Sequence, residues 1–177
     1  MKNPKAKGGK FEREVCVVLS LWVSQGKRRD LFWRSAMSGG RATVHGRSVR
    51  QVGDVCAVAP EGHQFTDKYF VECKHLKSLD FIGLIEGRGR LLKYWHIAQA
   101  QAAKHELIPM LIAKQNNHPV ILCCEQHVQF HSPLATFNAY DMHLYRFNDL
   151  LKRRYHEFVP RRKITFHNHR GLQAPDL

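Results

Sequence analysis

Gly53-Asp54-Val55-Cys56-Ala57-Val58-Ala59 is an apolar run that opens at an acid, and Tyr69-Phe70-Val71-Glu72-Cys73-Lys74 is a second, β-branched and aromatic run that ends on an acid and a base. Both read as strands, and Pro60-Glu61-Gly62 between them supplies turn residues, so the pattern predicts two paired antiparallel strands. Side chains alternate along a strand, which puts Glu72 and Lys74 on one face and Tyr69, Val71 and Cys73 on the other. Burying a carboxylate without a partner in such a run costs on the order of several kcal/mol, so the Glu-x-Lys needs a reason. With Asp54 across the pair on the Glu72 face, the two carboxylates can hold a hard divalent cation, completed by the Cys73 backbone carbonyl and waters. Oxygen donors, with phosphate oxygens from a substrate, favour Mg2+, and Mn2+ can substitute. Lys74 then stands where it can orient or help deprotonate an attacking water and offset charge developing on phosphate.

A third acid lies upstream. From Phe11 to Val23 the apolar residues Phe11, Val15, Val18, Leu19 and Trp22 recur on one stripe at helical spacing. Glu12 falls between Leu19 and Val23 on that helix, inside the apolar sector, whereas Arg13 and Ser20 mark the polar face. Its carboxylate is therefore expected to face the interior. Glu14, on the other flank, is expected to pair with Arg13 or to favour the helix N-terminus through the macrodipole.

The composition selects a partner. Among 177 residues, 28 Lys plus Arg against 15 Asp plus Glu give a formal net charge of +13, which favours a polyanion. A basic membrane-surface protein would need an apolar span, signal peptide or lipidation motif, and none is read here. The cysteines, Cys16, Cys56, Cys73, Cys123 and Cys124, are odd in number and sit mostly in apolar patterns, so reduced, core-packing thiols are expected. A zinc set at Cys124, His127 and His131 has tolerable intervals but lacks a second cysteine pair. The string His167-Asn168-His169 is not the dispersed residue set of an HNH nuclease.

The remaining sequence reads as completion of one core. Ser78 to Glu86 predicts a short amphipathic element, broken by Gly87-Arg88-Gly89 before a helix from about Leu91 to His105, with Leu91, Leu92, Trp95, Ala98 and Ala102 on its packed side. Pro109 to Ala113 and Val120 to Cys124 predict a hairpin through Asn116-Asn117-His118-Pro119. Met142 to Tyr145 is expected as an edge strand, followed by a short helix around Asn148 to Lys152. No repeat or low-complexity linker interrupts the chain. The expected organisation is a basic arm (1–10), one domain (11–155) and a basic tail (156–177).

Gly53-Asp54 followed by Glu72-Cys73-Lys74, behind a Glu-bearing helix, resembles the PD-(D/E)xK nuclease superfamily. Lys7-Gly8-Gly9-Lys10-Phe11-Glu12-Arg13-Glu14 and Arg34-Ser35-Ala36 are similar to the N-terminal helix and first strand of archaeal Holliday-junction resolvases and related phage endonucleases. The resemblance covers residues 7 to 76. It implies an α/β fold with a restriction-endonuclease-like core, a mixed central sheet flanked by helices, and a catalytic set of Glu12, Asp54, Glu72 and Lys74. Gly53 stands where the family name has proline, and Met37 to Val52 reads as an insertion relative to the compact resolvases. That loop carries Arg41, Arg47 and Arg50, which with Lys7, Lys10, Arg34 and Ser35 are the candidate DNA contacts. Lys93, Gln99 and Gln101 are accessory candidates from the later helix.

The expected function is magnesium-dependent hydrolysis of DNA phosphodiester bonds, on branched or double-stranded DNA, with Holliday-junction resolution as one form. A resolvase would act as a homodimer, because two symmetric incisions need two sites. The expected location is the cytoplasm, that of a bacterial host if the chain is phage-encoded. The alternative is a noncatalytic nucleic-acid-binding or structural protein that keeps the nuclease-like fold.

Overall fold

The computed structural model describes residues 4–35, 52–125 and 132–157. Helix α1 (Pro4–Val23) leads to a two-stranded antiparallel ribbon of β1 (Phe32–Arg34) and β2 (Val55–Ala57). After α2 (Pro60–Thr66) the chain enters β3 (Tyr69–Leu76), crosses through α3 (Phe81–Ile85) and α4 (Arg90–Ala103), and returns as β4 (Ile108–Gln115) parallel to β3. Strands β5 (Ile121–Cys124), β6 (Ala135–Phe137) and β7 (Met142–Arg146) complete a five-stranded mixed sheet in the order β3-β4-β5-β7-β6, and α5 (Phe147–Leu151) follows. None of the described helices is long and apolar enough to cross a membrane.

Strand alternation divides the core into two layers. Val71 and Cys73 of β3, Met110 and Ile112 of β4, and Leu122 and Cys124 of β5 pack with Phe11, Val15 and Leu19 of α1. Leu111, Ala113, Ile121 and Cys123 turn the other way, against Leu91, Leu92 and Trp95 of α4. Ser20 ties α1 to the ribbon: its buried hydroxyl donates to Cys16 O (2.7 Å) and accepts from Phe32 N–H (3.1 Å). All five cysteines are buried free thiols.

Three expectations change. The Asp54 and Glu72 runs are not a hairpin: Pro60-Glu61-Gly62 opens α2, Pro60 taking the first turn where its missing N–H costs nothing, and β2 pairs with β1 instead. Gly62 lets α2 lie on the ribbon, since a Cβ there would stand 2.9 Å from Leu31 O. The strand at 142–146 is interior, because β6 forms the edge beyond it. The first helix starts at Pro4, so Lys7 and Lys10 ride on α1. The hairpin of β4 and β5 forms as expected.

Candidate active site

Asp54, Glu72 and Glu12 lie around the β3 edge of the sheet. β3 is an edge strand, and Gly53-Asp54 runs alongside it: Asp54 N–H donates to Val71 O (2.8 Å), and Cys73 N–H donates to the Asp54 carboxylate at Oδ2 (2.8 Å). Ser35 N–H in turn donates to Asp54 O (3.1 Å). Asp54 is thus buried and fixed by both backbone groups and one carboxylate oxygen. Gly53 makes the approach possible. Its φ is +84°, and a Cβ would stand 2.6 Å from Val71 O. In an extended strand a residue's N–H and C=O leave on the same side, so the Cys73 carbonyl points to the edge that Asp54 occupies.

Glu12 reaches this edge from α1. Burial raises its pKa, as does nearby Asp54, while Arg34 and Lys74 oppose the shift. Arg34 Nε lies 3.2 Å from Glu12 Oε2. Gly9 gives the guanidinium its room: a Cβ there would come within 2.9 Å of Arg34 Nη1, and Gly8 faces Glu12 Oε1. The Gly8-Gly9 pair therefore has a packing purpose in the middle of a helix.

Glu72 and Lys74 project toward the α4 layer, as alternation requires. Burial raises the Glu72 pKa and Asp54 raises it further, against the opposing pull of Lys74. Burial pulls Lys74 down, but Glu72 and Asp54 outweigh it and hold the ammonium above its ordinary value. Lys74 Nζ bonds Glu72 Oε1, stands 3.9 Å from Asp54 Oδ2, and lies 5.4 Å from the centroid of the Tyr94 ring.

Tyr94 is the neighbour that sequence reasoning missed. Its signal was an aromatic on the flank of the buried α4 stripe, next to the solvated Lys93. Of the accessory candidates, Lys93 is exposed, Gln99 Nε2 donates to Tyr140 O (3.4 Å), and Gln101 is half-buried. Among the expected DNA contacts, Arg34 is turned inward to Glu12, and Ser35 is buried with its hydroxyl bonded to Cys56. Lys7 Nζ donates to Asn116 Oδ1, and Lys10 lies 3.8 Å from Glu14, which takes this partner rather than Arg13. Arg41, Arg47 and Arg50 lie outside the described residues, as do His127, His131, His167 and His169.

Among the described residues no three His, Cys, Asp or Glu side chains are already gathered as a metal-binding group. Arg34 lies against Glu12, and Lys74 lies against Glu72 and 3.9 Å from Asp54. The donors themselves are all oxygen, three carboxylates and a strand carbonyl, and Asp54, after burial, raises the pKa of both Glu12 and Glu72, so they fit a hard divalent cation that would replace the two internal cations as counter-charge.

No curated protein and no solved structure matches the chain. A family model described as "Phage putative PDDEXK endonuclease" matches residues 3–160. PD-(D/E)xK nucleases generally use divalent metal ions, and the mixed sheet flanked by helices is a restriction-endonuclease-like fold. With the match running from α1 past α5, the chain belongs to this phage PDDEXK endonuclease family.

Proposed function

We propose that the protein is a magnesium-dependent endonuclease that hydrolyses DNA phosphodiester bonds, with Asp54, Glu72 and the Cys73 carbonyl as direct metal ligands, Glu12 as a further or water-mediated ligand, and Lys74 beside the attacked phosphate. The observation that carries this reading is the pinning of Asp54 to β3 by Cys73 N–H, which assembles the acids and Lys74 around one strand edge. When bound, Mg2+, or Mn2+ in its place, supplies Lewis-acid polarisation of the phosphate and a water of lowered pKa. Asp54 needs no reorganisation to serve, since its orientation is fixed by hydrogen bonds already made. Glu72 accepts a hydrogen bond from the Lys74 ammonium, and Lys74, released from Glu72, can orient the water or stabilise negative charge on phosphate. The Tyr94 ring face, 5.4 Å from Lys74 Nζ, favours that ammonium beside the edge.

The net charge of +13 supports a nucleic-acid substrate. The basic residues at 1–10 and 156–177 and the arginines at 41, 47 and 50 are proposed to add phosphate contacts. Branched DNA, cut by a homodimer in the bacterial cytoplasm, is the resolvase form of the proposal. The noncatalytic reading has one observation in its favour: Arg34 and Lys74 neutralise Glu12 and Glu72 internally.

The test is cleavage of a labelled four-way junction beside matched duplex, single-stranded and flap DNA, with magnesium and with chelator, for wild type and Glu72→Ala. Paired symmetric cuts confined to the junction, lost in the variant, are the resolvase result. Metal-dependent cutting of the other substrates keeps the nuclease and discards the resolvase. Binding without cutting moves the protein to the noncatalytic class.

A further inference from the structure

We propose that the ends of β3 and β4 carry a second, non-catalytic phosphate-binding site, formed by Lys7, His75 and Lys114, that holds the DNA backbone beside the cleavage site. The proposal rests on the DNA-endonuclease reading only for the identity of the polyanion.

His75 and Lys114 are register partners on the parallel strands β3 and β4, so their side chains leave the sheet side by side, with the strands about 4.8 Å apart. Both lean on one ring of α1. The Phe11 ring lies 5.5 Å from the His75 ring, centroid to centroid, and 5.8 Å from Lys114 Nζ. Lys7, one helical turn before Phe11, reaches the same place and donates to Asn116 Oδ1, and the Asn116 side chain also bonds His75. Three basic side chains from α1, β3 and β4 thus converge on a floor of phenylalanine and asparagine. Among the described residues, neither Lys7 nor Lys114 has a carboxylate within the 4.0 Å of an ion pair. Burial, Lys7 and Lys114 lower the His75 pKa, while Asn116 and Glu14 oppose the shift; the two lysine charges brought together repel one another, and an anion with several acceptor oxygens relieves that repulsion.

The location gives the site its use. His75 follows Lys74 in β3 and points to the opposite face, with about 3.3 Å of rise between them. DNA crossing the end of this edge strand meets Lys74 on the α4 side and the Lys7–His75–Lys114 group on the α1 side. One phosphate held in the second place fixes the register of the phosphate presented to the acids.

The experiment is fluorescence anisotropy of the full chain with labelled duplex DNA, in chelator, from 50 to 200 mM salt. It compares wild type with Lys7→Ala, Lys114→Ala, the double variant, and Lys68→Ala, an exposed lysine at the other end of β3. Each lost phosphate contact lowers the slope of log Kd on log salt by about 0.9, so over this fourfold range a single variant loses about 3.5-fold less affinity than wild type and the double about 12-fold less. Lys68→Ala keeps the wild-type slope. Lys114→Gln, which keeps an alkyl stem on Phe11, must behave as Lys114→Ala does. A wild-type slope in the double variant, an equal change in Lys68→Ala, or no duplex binding by wild type overturns the proposal. The nuclease reading fails separately, through wild type that shows these slopes and never cuts when magnesium is restored.

Discussion

Replacing Gly53 by alanine should break the site through the backbone, and the chain contains its own control. Gly53 and Gly26 have the same φ, +84°, but a Cβ at Gly26 meets nothing within 4 Å, whereas one at Gly53 would lie 2.6 Å from Val71 O and 3.2 Å from Val71 N. Gly26→Ala therefore carries only the left-handed backbone cost, about 1–2 kcal/mol. Gly53→Ala carries that cost and a collision with backbone atoms of β3. Separating the two segments to relieve it weakens the Asp54 N–H to Val71 O bond, worth about 1 kcal/mol, and the Cys73 N–H to carboxylate bond, worth about 1.5–3 kcal/mol. The sum is about 3.5–6 kcal/mol, or roughly 7–24 °C in Tm for a chain of this size. Urea and thermal unfolding of both variants measure the difference, and cleavage of the best substrate measures its effect on the site, where a displacement of about 1 Å can cost on the order of 100-fold in rate. Gly53→Pro, which installs the residue of the family name, should be worse, because proline fixes φ near −65°. Equal destabilisation by Gly53→Ala and Gly26→Ala would refute the reasoning, as would a fully active Gly53→Pro.

The other predictions concern charge, buried polarity and the approach of α4. Burial raises the pKa of Glu12 and Glu72, so their contribution to stability is complete below the ordinary carboxylate range and is lost as pH rises through the raised values. Millimolar Mg2+ should therefore raise Tm more at neutral pH than at pH 5 or so, and a pH-independent increment measured by scanning calorimetry would contradict this. Asp54→Asn should abolish cleavage while DNA binding in anisotropy stays the same or tightens, since an acid near phosphate is removed; retained cleavage would exclude Asp54 as a ligand. Ser20→Ala should cost about 1–3 kcal/mol in urea unfolding, because Phe32 N–H is left buried without its acceptor. Tyr94→Leu should lower kcat by several-fold with little change in KM, while Tyr94→Phe, which keeps the ring face under Lys74, should stay near wild type; the assay fails the idea if the two variants are alike.

The site was legible where periodicity governs orientation and illegible where chain path does. Glu12 was placed inside by its position between Leu19 and Val23, and it is indeed turned inward; Glu72 and Lys74 share a face because a strand repeats every two residues. Both arguments are local. The hairpin expected through Pro60-Glu61-Gly62 does not form, because proline, glutamate and glycine suit the first turn of a helix as well as they suit a reversal, and here they open α2. What brings Asp54 to Glu72 is a glycine at positive φ running against an edge strand, and no periodic pattern announces that.

The same distinction explains Arg34 and Lys7. A sequence rich in basic residues invites each one to be assigned to DNA, but a guanidinium held over Gly9 and facing Glu12 is part of the acid cluster's charge balance. Lys7 and Lys114, which lack such a carboxylate, keep their charge for something else. Among the described cations, a lysine or arginine near the site is informative only once its nearest acid is known. By that criterion the described electrostatics have two parts at one strand end: an acid cluster with Arg34 and Lys74 as counter-charges, where metal is proposed to replace them, and a pair of lysines on the opposite face with no carboxylate in ion-pair range, where phosphate is proposed to bind.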